Sequence, residues 1–146
     1  MEAVEAGASD LHLVVDHPPV LRVHGLLRPL DEHPLDGDAV RGLLTPLCPP
    51  QAMARFQAEK DVDFALELPL GNRRQRFRAN YFLSRRQMGA CFRVIPAVIP
   101  DFQWAGFPDE LAQRLAHFRN GLVLLSGVAG SGKTTSLAMV INLLNQ

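Results

Sequence analysis

Alternation of apolar and polar residues is strongest over residues 61–68, where Val62, Phe64, Leu66 and Leu68 interleave with Asp63, Ala65 and Glu67. That two-residue period predicts a strand with one buried face. Pro69-Leu70-Gly71-Asn72 reads as a turn. Arg74, Arg76 and Arg78 then alternate with Gln75, Phe77 and Ala79, which puts the arginines on one side of the next strand and Phe77 and Tyr81 on the other. A turn near Ser84-Arg85-Arg86-Gln87 and the apolar run from Ala90 to Ile95 complete a hairpin whose returning strand carries Arg93. Upstream, Asp10 to Val15, Val20 to His24 and Leu26 to Leu30 predict three short strands, separated by His17-Pro18-Pro19 and by Gly25. Helices are expected over 38–47 and 50–59, the second opened by a proline whose missing N–H does little harm in a first turn. These elements make a mixed α+β unit.

Periodicity fades after residue 95. Pro96 to Pro108 contains three prolines and reads as a linker, with Trp104 expected as a packing anchor between domains rather than a base-stacking residue. Asp109 to Phe118 predicts a short helix with Leu111, Leu115 and Phe118 on one face. The continuous apolar run Gly121-Leu122-Val123-Leu124-Leu125-Ser126 reads as a strand covered on both faces. Leu137, Val140, Ile141 and Leu144 recur at helical spacing, predicting a helix from about Lys133. The expected boundaries are 1–97 for the first domain, 98–108 for the linker and 109–146 for the start of a second domain.

Composition places the chain among globular proteins and against a membrane span: 47% of its residues are hydrophobic, yet no apolar run approaches the roughly 20 residues a span needs. The acidic start, Met1-Glu2-Ala3-Val4-Glu5, is unlike a signal peptide, so the expected location is the cytoplasm. Cys48 and Cys91 lie far apart without metal-ligand spacing and read as free thiols. A formal net charge of zero hides an asymmetry, because residues 1–63 carry 11 acids and five bases while 73–93 carry seven arginines and no acid. An arginine-rich strand of this kind suits nucleic acid, nucleotide phosphates or an acidic partner.

The sharpest chemical signal is Gly127-Val128-Ala129-Gly130-Ser131-Gly132-Lys133-Thr134, which completes G-x-x-x-x-G-K-[ST] between the expected strand and helix. Glycines there turn the chain without a Cβ and let consecutive N–H groups point inward at phosphate oxygens. Gly127, Gly130, Ser131, Gly132, Lys133, Thr134 and Thr135 are the candidate nucleotide-binding residues. Lys133 would reach the β- and γ-phosphates, Thr134 would offer its hydroxyl to Mg²⁺, and the helix N-terminus would face ATP's phosphates. Two other constellations give less. His12 and His24, on adjacent predicted strands, could face one another but lack a third ligand, and Asp61 and Asp63 read as the polar face of their strand.

Several segments together resemble the type IV pilus retraction (twitching motility, PilT-type) ATPases. They are Ala8-Ser9-Asp10-Leu11-His12-Leu13, Pro18-Pro19-Val20-Leu21-Arg22-Val23-His24-Gly25, Asp61-Val62-Asp63-Phe64-Ala65, Arg76-Phe77-Arg78-Ala79-Asn80, Phe92-Arg93-Val94-Ile95-Pro96 and Asn120 to Gly127. The likeness runs from about residue 7 onward. The short stretch before Ala8 favours the retraction branch over the pilus extension and type II secretion ATPases, which remain alternatives within the family. The resemblance implies an α+β, PAS-like N-terminal domain followed by the truncated start of an α/β RecA-like phosphate-loop domain. It also implies a homohexamer peripheral to the inner membrane through a pilus platform protein. ATP and Mg²⁺ are the implied cofactors, and by motif position Arg78, Arg93 and Arg76 are the candidates for contacting phosphates. Val128-Ala129 stands where relatives usually have Pro-Thr, at positions contributing backbone amides. The family's acidic box, Walker B segment and histidine box lie beyond Gln146, so no complete catalytic set is expected in this chain and hydrolysis by this polypeptide alone is expected to be no faster than in buffer. Two readings outside the motor class stay open: a non-catalytic PAS-like assembly module, and an arginine-rich single-stranded nucleic-acid binder with Phe77, Tyr81 and Phe82 as stacking candidates. The motor reading expects little direct binding of nucleic acid.

Overall fold

A computed structural model describes residues 2–128 and 131–145. The chain divides into two compact units, Met1–Pro96 and Ala97–Gln146.

In the first unit a one-turn helix α1 (Glu2–Glu5) precedes strands β1 (Asp10–Leu13), β2 (Val20–Val23) and β3 (Leu26–Pro29). Helix α2 (Gly37–Leu44), a 3₁₀ turn over Thr45–Leu47 and helix α3 (Pro50–Glu59) follow, and then β4 (Asp61–Leu70), β5 (Arg73–Ser84) and β6 (Gln87–Ile95). The six strands form one antiparallel sheet in the order β3-β2-β1-β6-β5-β4. Asp36 caps α2, its Oδ1 accepting the N–H of Ala39 at 2.7 Å, one of the orphan donors of a helix start. Pro50 opens α3 and Lys60 closes it in the left-handed region at φ 64°.

The sheet has one apolar face and one polar face, as alternation requires. Leu13, Val62, Ala79, Tyr81, Ala90 and Phe92 form its core together with Val40 and Leu44 of α2 and Ala52 and Phe56 of α3. Tyr81 is completely buried at the centre, edge-on to Phe56, Phe64 and Phe92. Its hydroxyl donates to the carbonyl of Leu44 at 2.9 Å, satisfying an acceptor at the end of α2. A smaller cluster of Ala3, Ala8, Leu21 and Val23 holds the N-terminal turn to the sheet.

The second unit contains α4 (Asp109–Ala116) and α5 (Lys133–Leu144), which pack on each other. The apolar run 121–126 is not a strand. Leu122 and Leu124 are 82% and 80% exposed, and among the described residues this unit has no other strand to complete a ladder. Trp104 is 76% exposed in a turn over 102–106 and does not pack within the second unit. Among the described residues no helix is long and apolar enough to cross a membrane.

Candidate functional site

Two sets of chemistry-bearing residues stand out, one in each unit. In the first, strand register lines up polar side chains across the solvent-facing side of the sheet. Arg22 of β2 pairs with Asp10 of β1, Asp10 with Arg93 of β6, and Arg93 with Arg78 of β5. Directly opposed residues of paired strands share a face, so these four make one row. Arg76 lies two residues along β5 from Arg78 and pairs with Ile95 and Glu67.

Charges in the row are only partly matched. Arg93 donates through Nε to Asp10 Oδ1 at 3.0 Å, and Arg22 Nε lies 3.5 Å from Asp10 Oδ2. Arg78 Nε donates to Asp63 Oδ1 at 3.2 Å and Arg74 Nε lies 2.7 Å from Glu67 Oε1. Among the described residues Arg76 has no ion-pair partner. Asp63, Arg78, Asn80, Cys91 and Arg93 line an open cavity of about 240 Å³. Burial raises the Asp10 carboxyl, but hydrogen bonds from Arg93 and Ser9 and the charge of Arg93 outweigh it and hold the group below the usual carboxyl range. The Asp10 hydrogen bond and charge push Arg93 up in turn. Burial, then the Asp10 charge, raises the Cys91 thiol, which keeps it protonated rather than nucleophilic near neutrality.

Several sequence expectations change at this face. Tyr81 points into the core and Phe77 packs partly buried against it, so neither offers an open platform for a base. His24 lies in the β2–β3 turn at φ 50°, while His12 pairs with Val20 and Cys91, so the two histidines do not face one another. Asp61 and Asp63 are the polar side of β4, accepting from Asn80 Nδ2 at 2.9 Å and from Arg78. Asp10 and Arg22 were not singled out from the sequence as part of an arginine site. Nothing local marks them, because only the β2-β1-β6 order brings them beside Arg93.

In the second unit Gly127, Ser131, Gly132, Lys133, Thr134 and Thr135 surround the start of α5, while Gly130 and Ala129 lie outside the described residues. Gly127 at φ 154° and Gly132 at φ 84° occupy backbone conformations that favour glycine. A Cβ on Gly127 would come within 2.8 Å of Ser131 Oγ. Lys133 Nζ donates to the carbonyl of Val128 at 2.7 Å, folding the cation across the loop. Gly132 gives α5 no side-chain cap, so the first-turn N–H groups have none of the usual side-chain acceptors. Thr134 is exposed in that first turn and Thr135 half-buried. Small loop residues, a lysine spanning them and an uncapped helix start fit a polyphosphate.

Comparison with known proteins agrees along the whole chain. The family model described as Type II/IV secretion system protein matches residues 1–146. The Pseudomonas aeruginosa protein described as "Type IV pilus retractation ATPase PilT" is 36% identical over 143 residues, covering 98% of this chain and 40% of that protein. The Neisseria gonorrhoeae "Twitching motility protein" is 34% identical over 128 residues, covering 88% of this chain and 33% of that protein. A crystal structure of the pilus retraction motor PilT with bound ADP superposes with a TM-score of 0.83 at 35% identity, covering 99% of this chain and 41% of that one. This chain thus spans well under half the length of these relatives.

Proposed function

The chain belongs to the Type II/IV secretion system protein family, with type IV pilus ATPases among its relatives, and we propose that it is the nucleotide-binding portion of a motor ATPase that powers pilus retraction. Its first unit is the PAS-like domain of such a motor and its second the start of a RecA-like domain, joined through residues 98–108. The observation that carries the reading is the loop at α5, where Lys133 reaches back from the helix start to the Val128 carbonyl and Gly127 and Gly132 take positive φ.

Gly127, Gly130, Ser131, Gly132, Lys133, Thr134 and Thr135 would hold ATP, and the Thr134 hydroxyl would be a ligand for its Mg²⁺. The nucleotide would supply a phosphoanhydride bond whose cleavage does work. The chain's own contribution is positioning and charge. Lys133 would exchange the Val128 carbonyl for phosphate oxygens, a stronger charge-assisted contact. The N–H groups at the start of α5 stabilise negative charge at no reorganisation cost. Arg78 and Arg93, with Arg76 beside them, would touch phosphates from the sheet of the first unit. A guanidinium on a separate unit can distinguish ATP from ADP by one phosphate and so tie the unit's position to the state of the nucleotide. Six copies would form a ring on the cytoplasmic side of the inner membrane, held there by the pilus platform protein.

Titration of a fluorescent ATP analogue into the purified protein with Mg²⁺ tests the site. Lys133→Ala should weaken binding by tenfold or more, roughly the value of a charge-assisted contact, with circular dichroism unchanged. Equal affinity in the variant and the parent protein would rule out the loop as the nucleotide site.

A further inference from the structure

One carboxylate on the polar face is shared by two cations and is almost wholly buried. The Asp10 side chain is 7% exposed, while those of Arg93 and Arg22 are 67% and 39% exposed. Oδ1 of Asp10 accepts from Arg93 Nε at 3.0 Å, and Oδ2 accepts from Ser9 Oγ at 2.9 Å and lies 3.5 Å from Arg22 Nε. The same Ser9 Oγ lies 3.2 Å from the carbonyl of Arg22, a longer contact that can only share its one proton, and Arg22 Nη1 donates to the Gly25 carbonyl at 3.3 Å. The carboxylate is therefore fixed by backbone register on both sides, with β2 and β6 flanking β1.

Arg93 meets Asp10 through Nε alone, so the bond anchors the base of the guanidinium and leaves its two terminal nitrogens to an external acceptor. A long side chain that is two-thirds exposed otherwise loses substantial rotamer entropy when it is recruited by a ligand. A buried carboxylate at its Nε removes that cost beforehand. Two arginines on one carboxylate also leave an excess positive charge on the row, beside an Arg78 that is paired with Asp63.

We propose that Asp10 is a positioning residue that holds the Arg93 guanidinium ready for the terminal phosphate of a bound nucleotide. This rests on the reading of Arg93 as a phosphate contact. Asp10 itself touches no phosphate, since like charges would repel; it acts through Arg93.

The test is a double-mutant cycle read as the ratio of ATP to ADP affinity in the purified protein in its native assembly. Arg93→Gln should lower that ratio several-fold. Asp10→Asn, which keeps the side chain's size and a neutral acceptor but removes its charge, should lower it roughly three- to tenfold by weakening the charge-assisted bond, with ADP affinity unchanged. The double variant should match Arg93→Gln alone, because the two residues act as one unit. If Arg93→Gln leaves the ratio intact, the phosphate role of the arginine is wrong. If Arg93→Gln lowers it and Asp10→Asn does not, or the two losses simply add, the positioning role of Asp10 is wrong. Should Asp10→Asn fold poorly, hydrogen exchange in the parent protein decides. The Nε–H of Arg93 should exchange several-fold more slowly than that of Arg76, and equal rates would overturn the proposal.

Discussion

At the scale of single residues, burial and register decide which charges matter. Among the described residues, Asp10 and Gln75 are the polar or charged side chains in the buried set. Gln75 is satisfied by carbonyls, its Nε2 donating to Ile95 at 2.6 Å and to Arg76 at 3.0 Å, whereas Asp10 is satisfied by arginines. That difference has a pH signature. The folded-state carboxyl of Asp10 lies below its ordinary value of 3.8, so between the two values the unfolded chain takes up a proton that the folded chain refuses. Stability from this group is present above the ordinary value and is lost as pH falls through the folded one. Urea midpoints measured from pH 6 down to pH 3 should fall more steeply in the parent protein than in Asp10→Asn. Parallel slopes would show that the carboxylate carries no such linkage. Arg76 and Arg78 were legible together because strand alternation assigns them one face, while Arg93 joined them only through the family resemblance. Their carboxylate was not, because Asp10 lies 83 residues before Arg93 and no local pattern records that β1 inserts between β2 and β6.

At the scale of elements, patterns that encode one buried face proved readable, and those that depend on a distant neighbour did not. The alternation over 61–68 became β4, and the arginine strand and its return became β5 and β6 with the turn where expected. The N-terminal helix α1 gave no signal because four residues carry no helical period. The run 121–126 is apolar enough for a central strand, yet a strand is a ladder and the described residues of its unit supply no rung. The β5–β6 turn holds an energetic anomaly. Arg85 and Arg86 sit at φ 50° and 67°, the left-handed pair of a two-residue hairpin turn that favours Asn-Gly. Replacing both, Arg85→Asn with Arg86→Gly, should stabilise the protein by about 1–2 kcal/mol, seen as a higher urea midpoint with an unchanged slope. A lower midpoint would show that the arginines make contacts worth more than the strain.

At the scale of the molecule, the zero net charge resolves into an α+β unit whose polar face gathers arginines and a second unit built around a glycine-rich loop at a helix start. The sequence resemblance to pilus retraction ATPases and the likeness of the fold to a retraction motor with bound ADP point the same way, and the proposed work is withdrawal of a fibre. Deleting the gene in its own organism and measuring both twitching-zone diameter and surface pilin tests that claim most directly. Loss of a retraction motor should give smaller zones with surface pilin retained or increased, restored by the wild-type gene and not by Lys133→Ala. Loss of surface pilin would contradict it in favour of an extension role, and unchanged zones would remove the protein from pilus retraction altogether.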